Sequence, residues 1–152
     1  LNGKESWTEI EKNPISINVK ELPIVEMTPL LNRVQKSLEG TADTFFERRG
    51  VTWRDRVPVS GVTIYIYEKG SGLGVHDDLI IPDKGVNVFT SLLYLNDDFT
   101  GGDLFFPNTG EKIVPEENMG LVFHNNLCMP HTLFPVESGT RLTVNLDCMV
   151  RF

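Results

Sequence analysis

Between residues 28 and 40 the apolar positions recur at the spacing of one helical face: Leu30, Leu31, Val34 and Leu38 within MTPLLNRVQKSLEG. Residues three and four apart stack on one side of an α-helix, so this run predicts an amphipathic helix. Thr28 offers a capping hydroxyl, Pro29 suits the first helical position, where no amide hydrogen is needed, and Gly40 is the expected stop. The next stretch, ADTFFERRGVTW, is compatible with either a second helical piece or an extended one. Beyond residue 60 the periodicity changes to that of strands. VTIYIY alternates, placing Ile64 and Ile66 on one face and Thr63, Tyr65 and Tyr67 on the other. VNVFTSLLYL is long and apolar enough for a central strand. DLFF, EKIV, GLVFH, HTLF and RLTVNLDCMV follow as short strands, separated by turns such as NDDFTGG and PNTG. Short strands at even spacing, with one helix outside them, predict a mainly β protein of sandwich or jelly-roll type with a flanking helix. The 152 residues suit a single domain, helical or irregular over 1–60 and a β core over 61–152.

Composition narrows the functional classes. Hydrophobic residues make up 40 % and charged residues 23 % of the chain, and no apolar run approaches the roughly 20 residues needed to cross a bilayer. A soluble globular protein with no membrane partner is therefore expected. The net charge of −7, with basic stretches such as ERR and WRDR mixing signs, gives no expectation of nucleic-acid binding. The two cysteines, Cys128 and Cys148, lack metal-ligand spacing. Both are expected to be free and buried, in a reducing, cytoplasmic compartment. The chain starts at Leu1 without a signal-like segment, as a trimmed or processed product would.

Candidate chemistry begins at GVHDD, residues 74–78. A histidine with two carboxylates is costly to bury without a metal or partner charge. On a strand His76 and Asp78 share a face while Asp77 points away, so the first two could chelate one ion, with His131 of MPHTLF as a further ligand. Two imidazoles and a carboxylate with open positions beside them are the arrangement of non-haem Fe(II) oxygenases. His124 of FHNN is a rival ligand. Arg141 and Thr143 share a face of the last strand, where a guanidinium fork and a hydroxyl could grip a carboxylate. GSGLG lacks the phosphate-loop spacing and reads as a flexible turn. NDDFTGGD does not match a calcium loop and reads as a solvated turn. Tyr65 reads as a core aromatic.

The ordered set YEKGSGLGVHDD, SLLYLNDDFTGGDLFF and FHNNLCMPHTLFPVESGTRLTV resembles the 2-oxoglutarate- and Fe(II)-dependent oxygenases, and within them the prolyl-4-hydroxylase-like group, over about residues 61 to 150. The resemblance implies a double-stranded β-helix, cupin-like in architecture, with iron bound by His76, Asp78 and His131. It implies that Arg141 holds the far carboxylate of 2-oxoglutarate, that Tyr67 hydrogen-bonds the same group, and that Tyr94 lies in a similar place. Many prolyl hydroxylases carry lysine where this chain has Arg141, and the family's opening strand and helix are not evident before residue 28. The implied reaction uses Fe(II), 2-oxoglutarate and O2, with ascorbate as an added reductant. It hydroxylates an unactivated C–H of a prolyl residue, peptide or small amino-acid-like molecule and releases succinate and CO2. A carboxylate at position 78 argues against a halogenase. Other readings are a non-catalytic metal- or ligand-binding jelly roll and a cupin-type metal enzyme. The expected partner is a small molecule, a peptide or a protein loop, selected by IIPDKGVN and NTGEKIVPEENM. The oligomeric state is open.

Overall fold

A computed structural model describes residues 13–18, 28–81 and 85–150. Its helix α1 spans Thr28–Glu47, well past the expected stop. Gly40 is exposed, with open space where a Cβ would sit, and costs the helix only about 1 kcal/mol relative to alanine. That cost is overridden by Leu38, Ala42 and Phe46, buried at four-residue spacing against the sheet. The actual stop is Gly50, at φ 65. Its amide bonds to Glu47 O and that of Val51 bonds to Phe46 O, the paired closure of a Schellman motif. ADTFFERRGVTW thus divides into the last helical turns, this cap, and Trp53, whose indole N–H donates to Asp43 Oδ1 at 2.9 Å. The capping hydroxyl of Thr28 and the side chains of Leu30 and Leu31 lie outside the described residues.

The strands are β1 (Ile15–Asn18), β2 (Val59–Glu68), β3 (Leu73–His76), β4 (Ile80–Ile81), β5 (Gly85–Asn87), β6 (Phe89–Tyr94), β7 (Thr100–Gly101), β8 (Leu104–Phe106), β9 (Glu111–Ile113), β10 (Gly120–His124), β11 (His131–Leu133), β12 (Val136–Ser138) and β13 (Thr140–Val150). An opening strand does exist before residue 28: β1 pairs antiparallel with β2, Ile17 opposite Ile64. Four residues were too few to show a period in sequence. The expected central strand is divided at Val88 into β5 and β6, both bonded to the long β13.

A seven-stranded sheet runs β1-β2-β13-β5-β4, with β6 also bonded to β13 and β10 to β6. A four-stranded sheet runs β3-β11-β8-β9, and β7 pairs with β12. Together with α1 they form the jelly roll of a double-stranded β-helix. Strand alternation divides the core in two. Val62, Phe89, Val144, Leu146 and Cys148 pack with α1 on the outside of the large sheet. Tyr67, Leu92, Tyr94 and Phe123 meet Leu104, Phe106 and Leu133 of the small sheet on the inside. Cys148 is buried as expected, whereas Cys128 is exposed in the loop before β11.

Candidate active site

The opening of the small sheet brings the two histidines together. His131 of β11 lies directly opposite His76 of β3, with ring centroids 4.3 Å apart. Asp78 joins them by a different route from the one expected. β3 ends at His76, so alternation does not extend to Asp78, which adopts a left-handed backbone at φ 56. Such a conformation is uncommon outside glycine and costs of order 1–3 kcal/mol unless its surroundings hold it. Asp77 helps to hold it, because its carboxylate accepts the Leu79 N–H at 3.0 Å and closes the turn.

The resulting donor atoms of His76, Asp78 and His131 all lie within 4.8 Å of one another. His76 Nε2 is 3.5 Å from Asp78 Oδ1, and His131 Nε2 is 3.6 Å from Asp78 Oδ2. The other ring nitrogens face backbone carbonyls, His76 Nδ1 at 2.6 Å from Gly74 O and His131 Nδ1 at a longer 3.4 Å from Met129 O. A proton on each Nδ1 turns both Nε2 lone pairs toward the carboxylate. Two imidazole nitrogens and a carboxylate converging in this way are a donor set that fits a divalent cation. Burial acts to raise the pKa of Asp78, yet its contacts with His131 and His76 hold it below the usual carboxylate range. His124 lies elsewhere, half-buried, with its ring 5.3 Å from Phe45 and 5.5 Å from Phe46 of α1.

The other end of the cavity has the opposite polarity. Arg141 is 1 % exposed and donates from Nη1 to Gly102 O at 2.9 Å. No carboxylate among the described residues pairs with it, and its Nε is buried without a partner, as is the Tyr94 hydroxyl. The guanidinium instead lies over the rings of Tyr67, at 4.5 Å, and Tyr94, at 5.1 Å. The turn expected to be merely solvated builds this seat. Gly102, at φ 68, has Arg141 Cδ only 3.3 Å from where a Cβ would stand. Burial raises the pKa of both phenols, so each hydroxyl stays protonated and able to donate. Thr143 is 1 % exposed on the same face of β13.

A cavity of about 60 Å³ joins the two ends, with His76, Asp78 and His131 on one wall and Tyr67, Arg141 and Thr143 on another. Tyr65 also lines it, stacked on Tyr67 at 6.3 Å, so it is more than a core aromatic. GSGLG is a pinned turn, not a flexible one. Ser71 O accepts the Val136 N–H, and a Cβ on Gly72 would stand 2.7 Å from Leu133 O. Sequence reasoning missed Thr90 and Asn145, which line the same cavity. Extending the alternation two steps back from Tyr94 on β6 and one step on from Thr143 on β13 would have found both. Of the two loops expected to select substrate, the first is a β4–β5 hairpin whose tip, residues 82–84, lies outside the described residues. The second carries β9, paired to β8.

Comparison with known proteins defines the class. The sequence profile of the 2OG-Fe(II) oxygenase superfamily matches residues 62–146, more than half of the chain, and the chain belongs to that family. Its relatives include prolyl-hydroxylase-like proteins. One is the "Putative prolyl 4-hydroxylase" of Acanthamoeba polyphaga mimivirus, 37 % identical over 70 residues that cover 41 % of this chain and 29 % of the relative. The chain thus spans less than a third of that protein's length. The structure of the viral collagen prolyl hydroxylase of Paramecium Bursaria Chlorella virus-1 in its 2OG complex superposes with a TM-score of 0.68 at 18 % identity, covering 93 % of this chain and 83 % of the other, and shows the shared fold. A prolyl hydroxylase from Trichoplax adhaerens, in complex with a hypoxia inducible factor oxygen degradation domain peptide fragment, matches at 25 % identity and a TM-score of 0.52, covering 61 % and 45 % of the two chains. No helix among the described residues is long and apolar enough to cross a membrane.

Proposed function

We propose that His76, Asp78 and His131 hold the Fe(II), that Arg141 with Tyr67, Tyr94 and Thr143 holds the far carboxylate of 2-oxoglutarate, and that the protein hydroxylates an unactivated C–H of a prolyl residue within a peptide. The observation that carries this reading is the polarity of one cavity. Convergent lone pairs at one end call for a cation, and a buried guanidinium without a counter-ion at the other calls for an anion. A dicarboxylate that also carries a keto group meets both ends with a single molecule.

Iron, O2 and 2-oxoglutarate together supply the oxidation, in which the keto acid becomes succinate and CO2 while one oxygen atom enters the substrate C–H. The chain's own part is placement and exclusion of water. Arg141 neutralises the carboxylate in a site too dry for water to do so, and the protonated phenols can add donors to it. Phe106 and Phe123 pack against the His131 ring, at 5.8 and 4.9 Å, and restrict its orientation. A peptide substrate is supported by the peptide-bound Trichoplax relative, and the half-exposed Asp78 leaves the metal end open to an incoming chain.

The test has two stages. Purified protein with Fe(II), 2-oxoglutarate and ascorbate should form succinate even without substrate, and omission of Fe(II) should abolish it. Prolyl peptides should then raise succinate release and gain one oxygen atom by mass spectrometry. Absence of iron-dependent succinate would overturn the cosubstrate assignment, while succinate release that no prolyl peptide stimulates would overturn the substrate.

A further inference from the structure

Strand β10 has a partner on one side only. β6 pairs with it residue by residue, and no other strand among the described residues does. The register shows which backbone groups are left over. The Tyr94 N–H donates to Met119 O and the Asn125 N–H to Val88 O, so Leu121 and Phe123 turn their amides and carbonyls toward β6. Those of Gly120, Val122 and His124 point the other way, and no described residue bonds to them. An open edge of this kind is commonly blunted by lysine, proline or an inward charge. GLVFH carries no lysine, proline or carboxylate. The helix does not cover the edge either. α1 turns the small side chains of Ser37, Gly40 and Thr44 to a groove of about 560 Å³ whose other wall includes Gly120 and Val122, and Gly120 is exposed.

The two ends of this edge differ in charge. Beside His124 stand Arg48 and Arg49, both exposed and both lining the groove. Arg49 is fixed there, donating to Phe45 O at 2.8 Å and lying 3.8 Å over the Phe45 ring, which in turn meets the His124 ring. Neither arginine joins an ion pair among the described residues, although the chain carries a net charge of −7. Before Gly120 the sign is opposite. Glu116 and Glu117 are exposed, and the Glu117 N–H donates to the carboxylate of Asp97. A strand that fits this edge therefore offers its own unpaired backbone, acids opposite the His124 end and cations opposite the Gly120 end. β10 of a second copy, run antiparallel, meets all three conditions.

We propose that β10 pairs antiparallel with β10 of a second copy about a two-fold axis at Val122, joining the two large sheets edge to edge in a dimer. The symmetry sets Gly120 of each copy against His124 of the other, so that the outward amides and carbonyls of both strands bond one another. It also brings the Glu116–Glu117 turn of each copy to the Arg48 and Arg49 end of the other, so both charge contacts form at once. The dimer does not rest on the metal site, whose histidines lie on β3 and β11 of the other sheet.

Sedimentation equilibrium from micromolar to millimolar protein, with amide hydrogen exchange read alongside, tests the pairing. The wild type should dimerise, and the amides of Gly120, Val122 and His124 should exchange more slowly as concentration rises. Val122→Pro removes an outward N–H and blocks the axis while leaving the β6 bonds of Leu121 and Phe123 in place, and it should be monomeric. Arg48→Glu with Arg49→Glu, and separately Glu116→Lys with Glu117→Lys, should each raise the dissociation constant roughly tenfold or more. Mixed together, these two charge-reversed proteins should dimerise again, because every contact across the axis then joins opposite charges. This mixing experiment decides the matter even if Val122→Pro fails to fold. A wild type that stays monomeric at millimolar concentration would overturn the proposal, and if its three amides are protected nonetheless, the edge is covered from within the chain. A dimer that Val122→Pro and the charge reversals leave intact would place the interface elsewhere and overturn it too. Protection that appears in a monomer only on adding a terminally blocked Glu-Val-Thr-Val-Thr peptide would assign the edge to foreign strands instead of a second copy.

Discussion

Replacing Arg141 should separate stability from cosubstrate binding. In the protein alone the guanidinium gains one charge-assisted bond to Gly102 O, worth about 1.5–3 kcal/mol. It also gains two ring contacts, to Tyr67 and Tyr94, each about 0.5–2 kcal/mol. Against this stand a buried Nε without a partner, unfavourable by about 1–3 kcal/mol, and a buried charge that no carboxylate among the described residues offsets. The terms cancel to within a few kcal/mol, so Arg141→Met should leave the thermal midpoint of the ligand-free protein within about 10 °C of wild type. Binding has no such cancellation. A desolvated carboxylate that loses the charged partner this cavity offers should lose about 3–5 kcal/mol, roughly a hundred- to several-thousand-fold in affinity. Arg141→Lys should keep part of it, because a point charge remains but the planar fork does not. Anaerobic titration of 2-oxoglutarate into the Fe(II)-loaded variants, followed by the visible charge-transfer band, gives the affinities, and scanning calorimetry gives the midpoints. Unchanged affinity in Arg141→Met would show that the carboxylate is held elsewhere and would refute the reasoning.

Asp78→Ala should abolish metal binding, whereas Asp77→Ala, which only loosens the turn closed by the Leu79 amide, should retain it with reduced affinity. Metal titration showing equal loss in both would refute the assignment. His131→Ala should remove metal while His124→Ala, which empties a place beside Phe45 and Phe46, should cost stability alone. Burial and the nearby Arg49 charge lower the pKa of His124, so the folded protein resists its protonation. That contribution to stability is full above about pH 6.5 and is lost as pH falls below it. Midpoints measured from pH 7.5 to 5 should therefore fall less steeply in His124→Phe. Gly40→Ala should stabilise by about 0.5–1 kcal/mol, since only open space surrounds it. Gly50→Ala, at φ 65, should destabilise by about 1–2 kcal/mol, and urea unfolding of the pair reads both signs.

What was legible in the chain follows from how local each signal is. Alternation over VTIYIY and GLVFH marked β2 and β10 because each side chain's face depends on its own strand alone. The ordered motifs that carried the family resemblance lie within or beside the stretch matched by the family profile, residues 62–146. Three readings failed where tertiary context prevailed. Gly40 did not stop the helix because Phe46, a turn and a half later, still had a core to join. Cys128 lies in the exposed loop whose Met129 carbonyl faces the His131 ring, a placement no composition argument could supply. Asp78 comes beside His76 and His131 by leaving the strand, so the alternation that paired it with His76 does not describe the backbone that places it. Thr90 went unread for another reason: its hydroxyl bonds to Asn125, a partner on another element that only the folded sheet brings within 3.1 Å.

The register of β13 makes the site and the core one structural decision. Arg141 stands opposite Tyr67, Thr143 opposite both Tyr65 and Tyr94, and Asn145 opposite Thr63 and Leu92, all on the inner face. Val144, Leu146 and Cys148 alternate with them onto the helix side. A slip of one residue would exchange every member of the first set for the second, sending a guanidinium under α1 and a leucine into the cavity. The slip is opposed from both sides at once. Burial of Leu146 and its neighbours against Leu38 and Phe46 favours the observed register, and Arg141 can meet Gly102 O in that register. Leu146→Ala should therefore do more than destabilise by the usual 2–5 kcal/mol of a core truncation. Since it loosens the strand that presents Arg141, it should also weaken 2-oxoglutarate binding while leaving the metal affinity of β3 and β11 unchanged, and equal loss of both would mean that the two sheets respond as one.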